Sequence, residues 1–219
     1  MKERTKSIVY PLLLLAALLV LWFIANRYLG VPYYVLPPVE GVLAALYRGY
    51  VQGDFWGDFG FTLASMAIGY VGGCTAAFII GVLFAEYRWL ERLLYPFVLA
   101  LQSMPKVALA PLILVWFGFG LESKAIMVAL VCFFPMFINT AVGLEATDPA
   151  LLDLMRAFSA SRWHILTRIK IPSAASHIFA ALQISVVLGL IGAVVAEFVS
   201  SSKGLGYLIN AATTTLDTS

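Results

Sequence analysis

The sequence predicts an all-α, polytopic membrane protein, and three observations lead to that prediction. The 219-residue chain is 62% hydrophobic and only 12% charged, with a mean hydropathy of +0.93, whereas a soluble domain is about half apolar and about a quarter charged. Five apolar runs are long enough to cross a bilayer, which takes about 20 residues of helix. The stretches between these runs are too short for a soluble domain. We therefore predict one transmembrane domain over residues 1–219.

The first span is predicted over residues 8–25, an uninterrupted apolar run after Lys2, Arg4 and Lys6. A cleavable signal peptide is the alternative. The run exceeds a usual signal-peptide core and no A-x-A-like cleavage site follows it, which favours a retained span with the N-terminus inside. The next segment, 26–58, is then expected outside. It should contain one short amphipathic helix, which follows the paired prolines of its L-P-P-V-E-G-V-L-A-A-L stretch.

Small residues recur at every fourth position of the second predicted span, 59–85. Small side chains at that spacing let helix backbones approach closely in lipid, which favours a packing role over a transport role. Four residues turn about 400° around a helix, so we expect the stripe to wind and only part of it to face one neighbour. The stripe comprises Ser65, Gly69, Gly73, Ala77, Gly81 and Ala85.

Three further spans are predicted over residues 93–117, 123–146 and 173–198, the last with its own stripe of small residues. A short polar turn, 86–92, precedes the third span on the inside, and the polar stretch 199–219 is expected outside. This topology places more Lys and Arg inside than outside, as the positive-inside rule requires. The inside group is Lys2, Arg4, Lys6, Arg88, Arg92, Arg156, Arg162, Arg168 and Lys170, and the outside group is Arg27, Arg48, Lys124 and Lys203.

Several functional classes find little support in the sequence. It has neither a G-x-x-x-x-G-K-[ST] motif nor an H-E-x-x-H motif, so we predict no nucleotide site and no zinc-protease site. No Ser-His-Asp set can be placed at membrane depth, so an enzyme is not expected, and neither a cofactor nor a metal site is predicted. The net charge of +2 is too small to indicate a nucleic-acid partner. Cys74 and Cys132 lie in apolar runs and are interpreted as small buried hydrophobic residues.

Polar groups inside the spans are better functional candidates, because burying them in lipid is expensive. Two interpretations of Lys106 stay open: it snorkels or pairs with a carboxylate such as Glu145 or Glu197, or it faces a water-filled path and attracts an anion. Pro105 and Pro111 are expected to free backbone carbonyls in the same span. For the side-chain amides of Gln102, Asn139 and Gln183, hydrogen bonds between helices are favoured over a place along the path. Glu197 is either a carboxylate at the membrane interface or part of an outer gate. The candidate path residues are Gln102, Met104, Lys106, Asn139, Gln183 and Glu197.

A polar and basic stretch, 153–172, interrupts the apolar pattern between the fourth and fifth spans, within a loop over 147–172. Its residues recur at helical spacing, which predicts a short helix with an aromatic and basic surface suited to a partner's groove. The alternative is an interfacial helix whose Arg and Trp lie on anionic headgroups. Physical chemistry alone leaves both open. The residues at helical spacing are Phe158, Arg162, Ile165 and Ile169, with Trp163 on another face.

This stretch resembles the cytoplasmic EAA loop of binding-protein-dependent ABC importer permeases, whose pattern is E-A-A, three residues, G, nine residues and I-x-L-P. Here D-L-M at 153–155 occupies the E-A-A place, Ser159 the Gly place and I-K-I-P at 169–172 the ending. The spacing is intact. The sequence departs from the pattern in Asp for Glu, Leu-Met for Ala-Ala and Ser for Gly.

Other segments are similar to the nitrate, sulfonate and taurine branch of that family, which includes permeases for thiamine-precursor pyrimidines. They are the L-P-P entry at 36–38, the P-K-V-A-L-A-P-L-I-L-V-W-F-G-F-G run at 105–120, A-S-R-W at 160–163, and A-E-F with G-L-G-Y-L-I at 196–209. The family usually has six spans, the last one after G-L-G-Y-L-I. The chain is therefore expected to lack the last family span.

The resemblance implies an ABC importer permease fold in the cytoplasmic membrane of a prokaryote. Two permease copies, as a homodimer, would form the pore. Two ATPase subunits would lie on the cytoplasmic side, and an extracytoplasmic solute-binding protein would deliver a small anionic or heterocyclic solute. A helix over 159–168 would be the coupling helix in a groove of the ATPase. The competing classes are an ATP-independent secondary transporter or channel, and a membrane scaffold that binds a partner through the same loop. The expected coupling residues are Asp153, Arg156, Ser159, Ala160, Ser161, Arg162, Trp163, Ile165, Arg168, Ile169, Ile171 and Pro172.

Overall fold

A computed structural model describes residues 2–28, 32 and 35–215, with the side chains of residues 2–8, 88 and 200 excepted. Every regular element in this part of the chain is a helix, which confirms the predicted all-α class. Four of its helices are long and apolar enough to cross a membrane, and a bent pair brings the number to five if the pair forms one span. If the bent pair forms one span, the number of candidate spans equals the five predicted from the sequence.

The first of two compact units comprises the described residues up to Gly57 together with those from Leu208 onward. Its long helix, α1 (Lys2–Tyr28), matches the first predicted span. The short α2 (Val39–Leu46) runs into a π-helical turn, Tyr47–Gln52. Two side chains of α1 bind the entry to α2: Trp22 Nε1 donates to the carbonyl of Pro37 at 3.0 Å, and Asn26 Nδ2 donates to that of Leu36 at 2.8 Å.

The second unit, from Asp58 to Tyr207, contains most of α3 (Trp56–Glu86). It also contains the long helices α6 (Leu121–Glu145) and α10 (Ala175–Ser200). These three helices match the second, fourth and fifth predicted spans, and their buried side chains form the main apolar core. Both cysteines are free and buried in this core, as predicted.

The small-residue stripe of α3 is buried, and its glycines lie against α6. A Cβ atom on Gly69 would collide with Ala125 and Val128 of α6, one on Gly73 would collide with Ala129, and one on Gly81 would lie 2.9 Å from Cβ of Thr140. Small residues at every fourth position thus let the two helix backbones approach closely. The expectation that only part of the stripe faces one neighbour stays a prediction. The buried stripe residues are Ser65, Gly69, Gly73, Ala77 and Gly81, with Ala85 half-buried.

The third predicted span is broken. It consists of α4 (Arg88–Ser103), a 3₁₀ turn (Lys106–Leu109) and α5 (Ala110–Phe117), with a bend of 89° between the two halves. The prediction of one continuous span was wrong because Pro105 forces the preceding residue into an extended conformation. Pro111 lies in the first turn of α5, where a missing N–H costs no intrahelical bond, so it frees no carbonyl there.

Two predicted polar segments are helical. The turn expected over 86–92 is reduced to Tyr87, because α4 already begins at Arg88. The stretch 199–219, for which no helix was predicted, contains α11 (Leu205–Thr215). Between α6 and α10 the chain forms α7 (Pro149–Ala157), α8 (Arg162–Ile165), a π-helical turn and α9 (Ile171–Ser173).

Candidate functional site

The loop between α6 and α10 is fixed to the bundle through α8 and the turn after it. Ile165 and Leu166 are buried, and Leu166 packs against Leu144 of α6 and Ala174 at the start of α10. Trp163 of the same helix is 73% exposed. The loop therefore combines a buried apolar anchor with a large exposed aromatic side chain.

The turn before α8 depends on Ser159. Its φ is +57°, in the left-handed region that disfavours residues with a Cβ atom. The N–H groups of Ser159 and Ala160 donate to the carbonyls of Arg156 and Met155 at 2.9 and 3.0 Å and end α7. This is the position of Gly in the family pattern, so the backbone geometry explains the glycine there.

The predicted helix over 159–168 begins three residues later than expected. A left-handed residue cannot belong to an α-helix, so α8 begins at Arg162, with Ser161 as its N-cap. The Ser161 hydroxyl accepts from the N–H of His164 at 3.2 Å. Ala160 is half-buried in the preceding turn, and Ser161, Arg162 and Arg168 are exposed. Of the remaining predicted coupling residues, Ile169 and Ile171 are half-buried, whereas Pro172 is exposed.

Two ion pairs involve charged side chains of the loop, and they differ in how exposed they are to solvent. Asp153 and Arg156 pair at 2.9 Å within α7, with side chains 73% and 68% exposed, and such exposed pairs contribute about 0–1 kcal/mol. Lys170 pairs with Glu86 at the end of α3, and these side chains are only 18% and 19% exposed. The second pair ties the loop to α3.

Helix α8 lies between two open clefts. The larger has a volume of about 940 Å³ and a charged lining that includes Arg92, Glu145 and Arg162. The smaller, about 320 Å³, lies beside Trp163 and is lined by Val82 and Leu83. We call the exposed side chains of Phe158, Arg162 and Trp163, together with these two clefts, the loop surface. It offers a projecting ridge with space on both sides for another protein.

The break between α4 and α5 brings three of the predicted path residues together. Gln102 and Met104 are exposed there. Lys106 Nζ donates to the carbonyl of Gln102 at 3.3 Å and lies 4.8 Å from the ring centroid of Phe134. Phe134 is near the middle of α6, so the ammonium group lies close to the midpoint of that helix. In the described part of the chain, no carboxylate lies within ion-pair distance of it.

The other candidate path residues lie apart from this break. Asn139 Nδ2 donates to the carbonyl of Pro135 at 2.8 Å within α6, rather than to another helix as expected. Gln183 is on the exposed face of α10. Glu197 is 0% exposed and accepts from the Thr62 hydroxyl at 2.9 Å. The carboxylate of Glu197 is therefore enclosed by protein, and both interpretations of it, as an interface carboxylate or as part of an outer gate, stay predictions.

The chain matches a known protein family over more than half of its length. A family profile described as "Binding-protein-dependent transport system inner membrane component" matches residues 77–219. The chain belongs to this family. It is a multi-pass inner-membrane permease, and membership implies an ATPase and a substrate-binding protein as partners.

Relatives of the permease are named for transport of several different solutes. It is 36% identical over 204 residues to the riboflavin transport system permease protein of Chloroflexus aurantiacus, covering 93% of this chain and 76% of that protein. It is 31% identical over 205 residues to the formylaminopyrimidine transport permease protein of Halalkalibacterium halodurans, covering 94% and 81%. It is 30% identical over 199 residues to the putative aliphatic sulfonates transport permease protein of Bacillus subtilis, covering 90% and 72%. All three are named transport permeases and not enzymes.

Two anchors of the permease's loop were missed in the sequence. Glu86 lies 84 residues before Lys170, and no local pattern indicates that they pair. Leu166 directly follows Ile165, but the π-helical turn Leu166–Lys170 shifts the helical phase, so both residues are buried. The adjacent apolar pair Ile165 and Leu166, within an otherwise polar stretch, is the signal that could have indicated the second anchor.

Proposed function

We propose that this permease carries a small anionic or heterocyclic solute into the cytoplasm, driven by a partner ATPase that docks on the loop surface. The observation that carries the proposal is the exposed Arg162–Trp163 ridge on a firmly anchored helix. Tryptophan and arginine are the residues most enriched at interface hot spots. An exposed tryptophan between two clefts fits insertion into a groove of another protein.

The anchors give the loop a way to transmit motion. Leu166 packs on both α6 and α10, and Lys170 pairs with Glu86 of α3. A displacement of α8 by the ATPase therefore acts directly on all three long helices of the core. Switching between states in packed helices proceeds by such rigid shifts. The predicted coupling residues divide into exposed contacts, such as Arg162 and Arg168, and anchors, such as Ile165.

We infer a translocation path at the break beside Lys106. A cation at mid-depth is costly against lipid, and irregular backbone is tolerated at that depth only in protein or at a water-filled cavity. Lys106 is half-exposed in the single chain, with Gln102 and Met104 exposed beside it. A second copy of the permease, as in a homodimer, would enclose this surface and the exposed Gln183 face of α10.

The experiment uses the permease reconstituted with its ATPase and binding protein in liposomes. Riboflavin, a formylaminopyrimidine and an aliphatic sulfonate, the solutes named for its relatives, are the first to be offered. In the double variant Arg162→Glu, Trp163→Ala, the rate of ATP-driven uptake should fall at least tenfold while the helical bundle stays folded. Arg48→Glu with Trp116→Ala is the matched control, since both side chains are exposed elsewhere. Unchanged uptake in the loop variant would refute the coupling assignment, and uptake without ATP would indicate a secondary transporter.

A further inference from the structure

Three consecutive backbone N–H groups at the start of α11 are held by side chains of two other helices. The N–H of Gly204 donates to Asp58 Oδ1 at 2.6 Å, and that of Leu205 to the Thr62 hydroxyl at 2.9 Å. The N–H of Gly206 donates to Glu197 Oε2 at 3.0 Å. The first N–H groups of a helix have no partner within the helix, and here α3 and α10 supply acceptors. We call Asp58, Thr62 and Glu197 the clasp.

The glycines of the G-L-G motif are required for this arrangement. Gly204 has φ +105°, a conformation that favours glycine, and a Cβ atom there would lie 2.7 Å from Glu197 Oε1. A Cβ atom on Gly206 would lie 2.8 Å from Cβ of Glu197 and would also collide with the carbonyl of Val194. Only two glycines at this spacing bring the amides onto the clasp.

The clasp is buried and charged. Glu197 is 0% exposed, and its Oε2 also accepts from the Thr62 hydroxyl, so Thr62 both donates and accepts. Lys124, buried in the first turn of α6, interacts electrostatically with the same carboxylate. Ionisable groups within membrane spans are expensive and mark functional positions by default. Helices α3, α6 and α10 therefore meet the start of α11 in one polar cluster.

The clasp lies at the end of α10 opposite to the loop surface. Helix α10 begins at Ala175, directly after the loop, and Glu197 is near its other end. Glu197 lies 22 positions after Ala175, which corresponds to about 33 Å of helix, roughly the thickness of the hydrocarbon core. With the loop on the ATPase side, the clasp lies at the extracytoplasmic ends of α3 and α10.

We propose that Asp58, Thr62 and Glu197 are positioning residues of the transport cycle that keep the extracytoplasmic ends of α3 and α10 together. This inference rests on the proposed function. The G-L-G segment bridges the two helix ends, so separating them for substrate entry breaks its hydrogen bonds. The clasp thereby sets how readily the extracytoplasmic ends of α3 and α10 separate. The binding protein has to supply the free energy that breaks these hydrogen bonds.

The test uses the complete transporter, with permease, ATPase and binding protein, in lipid nanodiscs. Thr62→Val keeps the shape of the side chain and removes the shared hydroxyl, and Glu197→Gln removes the charge. Both should speed hydrogen–deuterium exchange at 204–206 by at least tenfold while exchange in α6 stays unchanged. Both should also raise the rate of ATP hydrolysis in the absence of binding protein at least threefold. The factor by which the binding protein stimulates hydrolysis should fall accordingly. Glu122→Gln, an exposed carboxylate in the first turn of α6, is the matched control and should change neither readout.

Faster exchange at 204–206 with unchanged stimulation by the binding protein would reduce the clasp to a structural contact and overturn the inference. Unchanged exchange in both variants would overturn it too. If one variant fails to assemble, Gly204→Ala disrupts the same contact from the other side, with Gly118→Ala as its control. Gly118 has φ +77° but nothing within 4 Å of a Cβ atom. A wild-type transporter with no ATP-driven activity would instead refute the proposed function itself.

Discussion

The two ends of α10 are built on opposite principles. At the loop end, apolar side chains such as Leu166 are buried while charged and aromatic ones such as Trp163 are exposed. At the clasp end, the polar groups are buried: Glu197 is paired with Thr62, 135 residues away. A surface that docks another protein keeps polar groups accessible, whereas buried polar groups need partners within the chain. The loop end therefore suits docking, and the clasp end suits contacts within the permease.

The sharpest test of the loop end is the removal of its anchor. Leu166→Ala should lower the free energy of unfolding by about 2–4 kcal/mol, because it leaves a cavity between α6 and α10. Leu154→Ala is the control in the same loop, since that leucine is exposed, and it should cost under about 0.5 kcal/mol. Denaturant titration in detergent measures both. Equal losses would show that the loop has no distinct anchored face.

The two ion pairs of the loop permit a finer test. Removing the Lys170–Glu86 interaction in a double-mutant cycle should give a coupling energy of about 1–2 kcal/mol, above the range of exposed pairs. The same cycle on Asp153 and Arg156, whose side chains are mostly exposed, should give under about 0.5 kcal/mol. A coupling energy for Lys170 and Glu86 no larger than that of the exposed pair would contradict the assignment of an anchor. Thermal unfolding at fixed detergent concentration provides the readout.

The smallest effect is expected at Ser159. Ser159→Gly should raise the stability of the permease by up to about 1 kcal/mol, because glycine adopts a positive φ without steric cost. Ser159→Val should lower it by a similar or larger amount, since a β-branched residue is least compatible with that conformation. The difference in melting temperature between the two variants is the measurement. Equal melting temperatures would show that the turn relaxes around the side chain.

The fold followed from the sequence wherever the signal was local. The spans were read from apolar runs, the α3 stripe from the spacing of Gly69 and its neighbours, and the loop from its own internal pattern. The left-handed turn at Ser159 also agrees with the family's glycine. Each of these features depends on residues within about two turns of helix, which periodicity captures.

The missed features depend on long-range contacts or on backbone geometry. The clasp joins Asp58 to Gly204 across 146 residues, and the carboxylate of Glu197 looked like an end-of-span charge until the contact with Thr62 was known. The break at Pro105 was hidden by the apolar residues on both sides of it. Proline was visible there, but whether it kinks a span or breaks it depends on what the neighbouring helices can satisfy.

The break at Pro105 also bears on the order in which the protein assembles. Helix α5 (Ala110–Phe117) has eight residues and is about 12 Å long, too short to insert across a bilayer by itself. The irregular backbone at the break has no stable place in lipid before other helices shelter it. Helices α3, α6 and α10 are each long and apolar enough to cross a membrane. We therefore expect them to associate before the bent α4–α5 segment reaches its native depth.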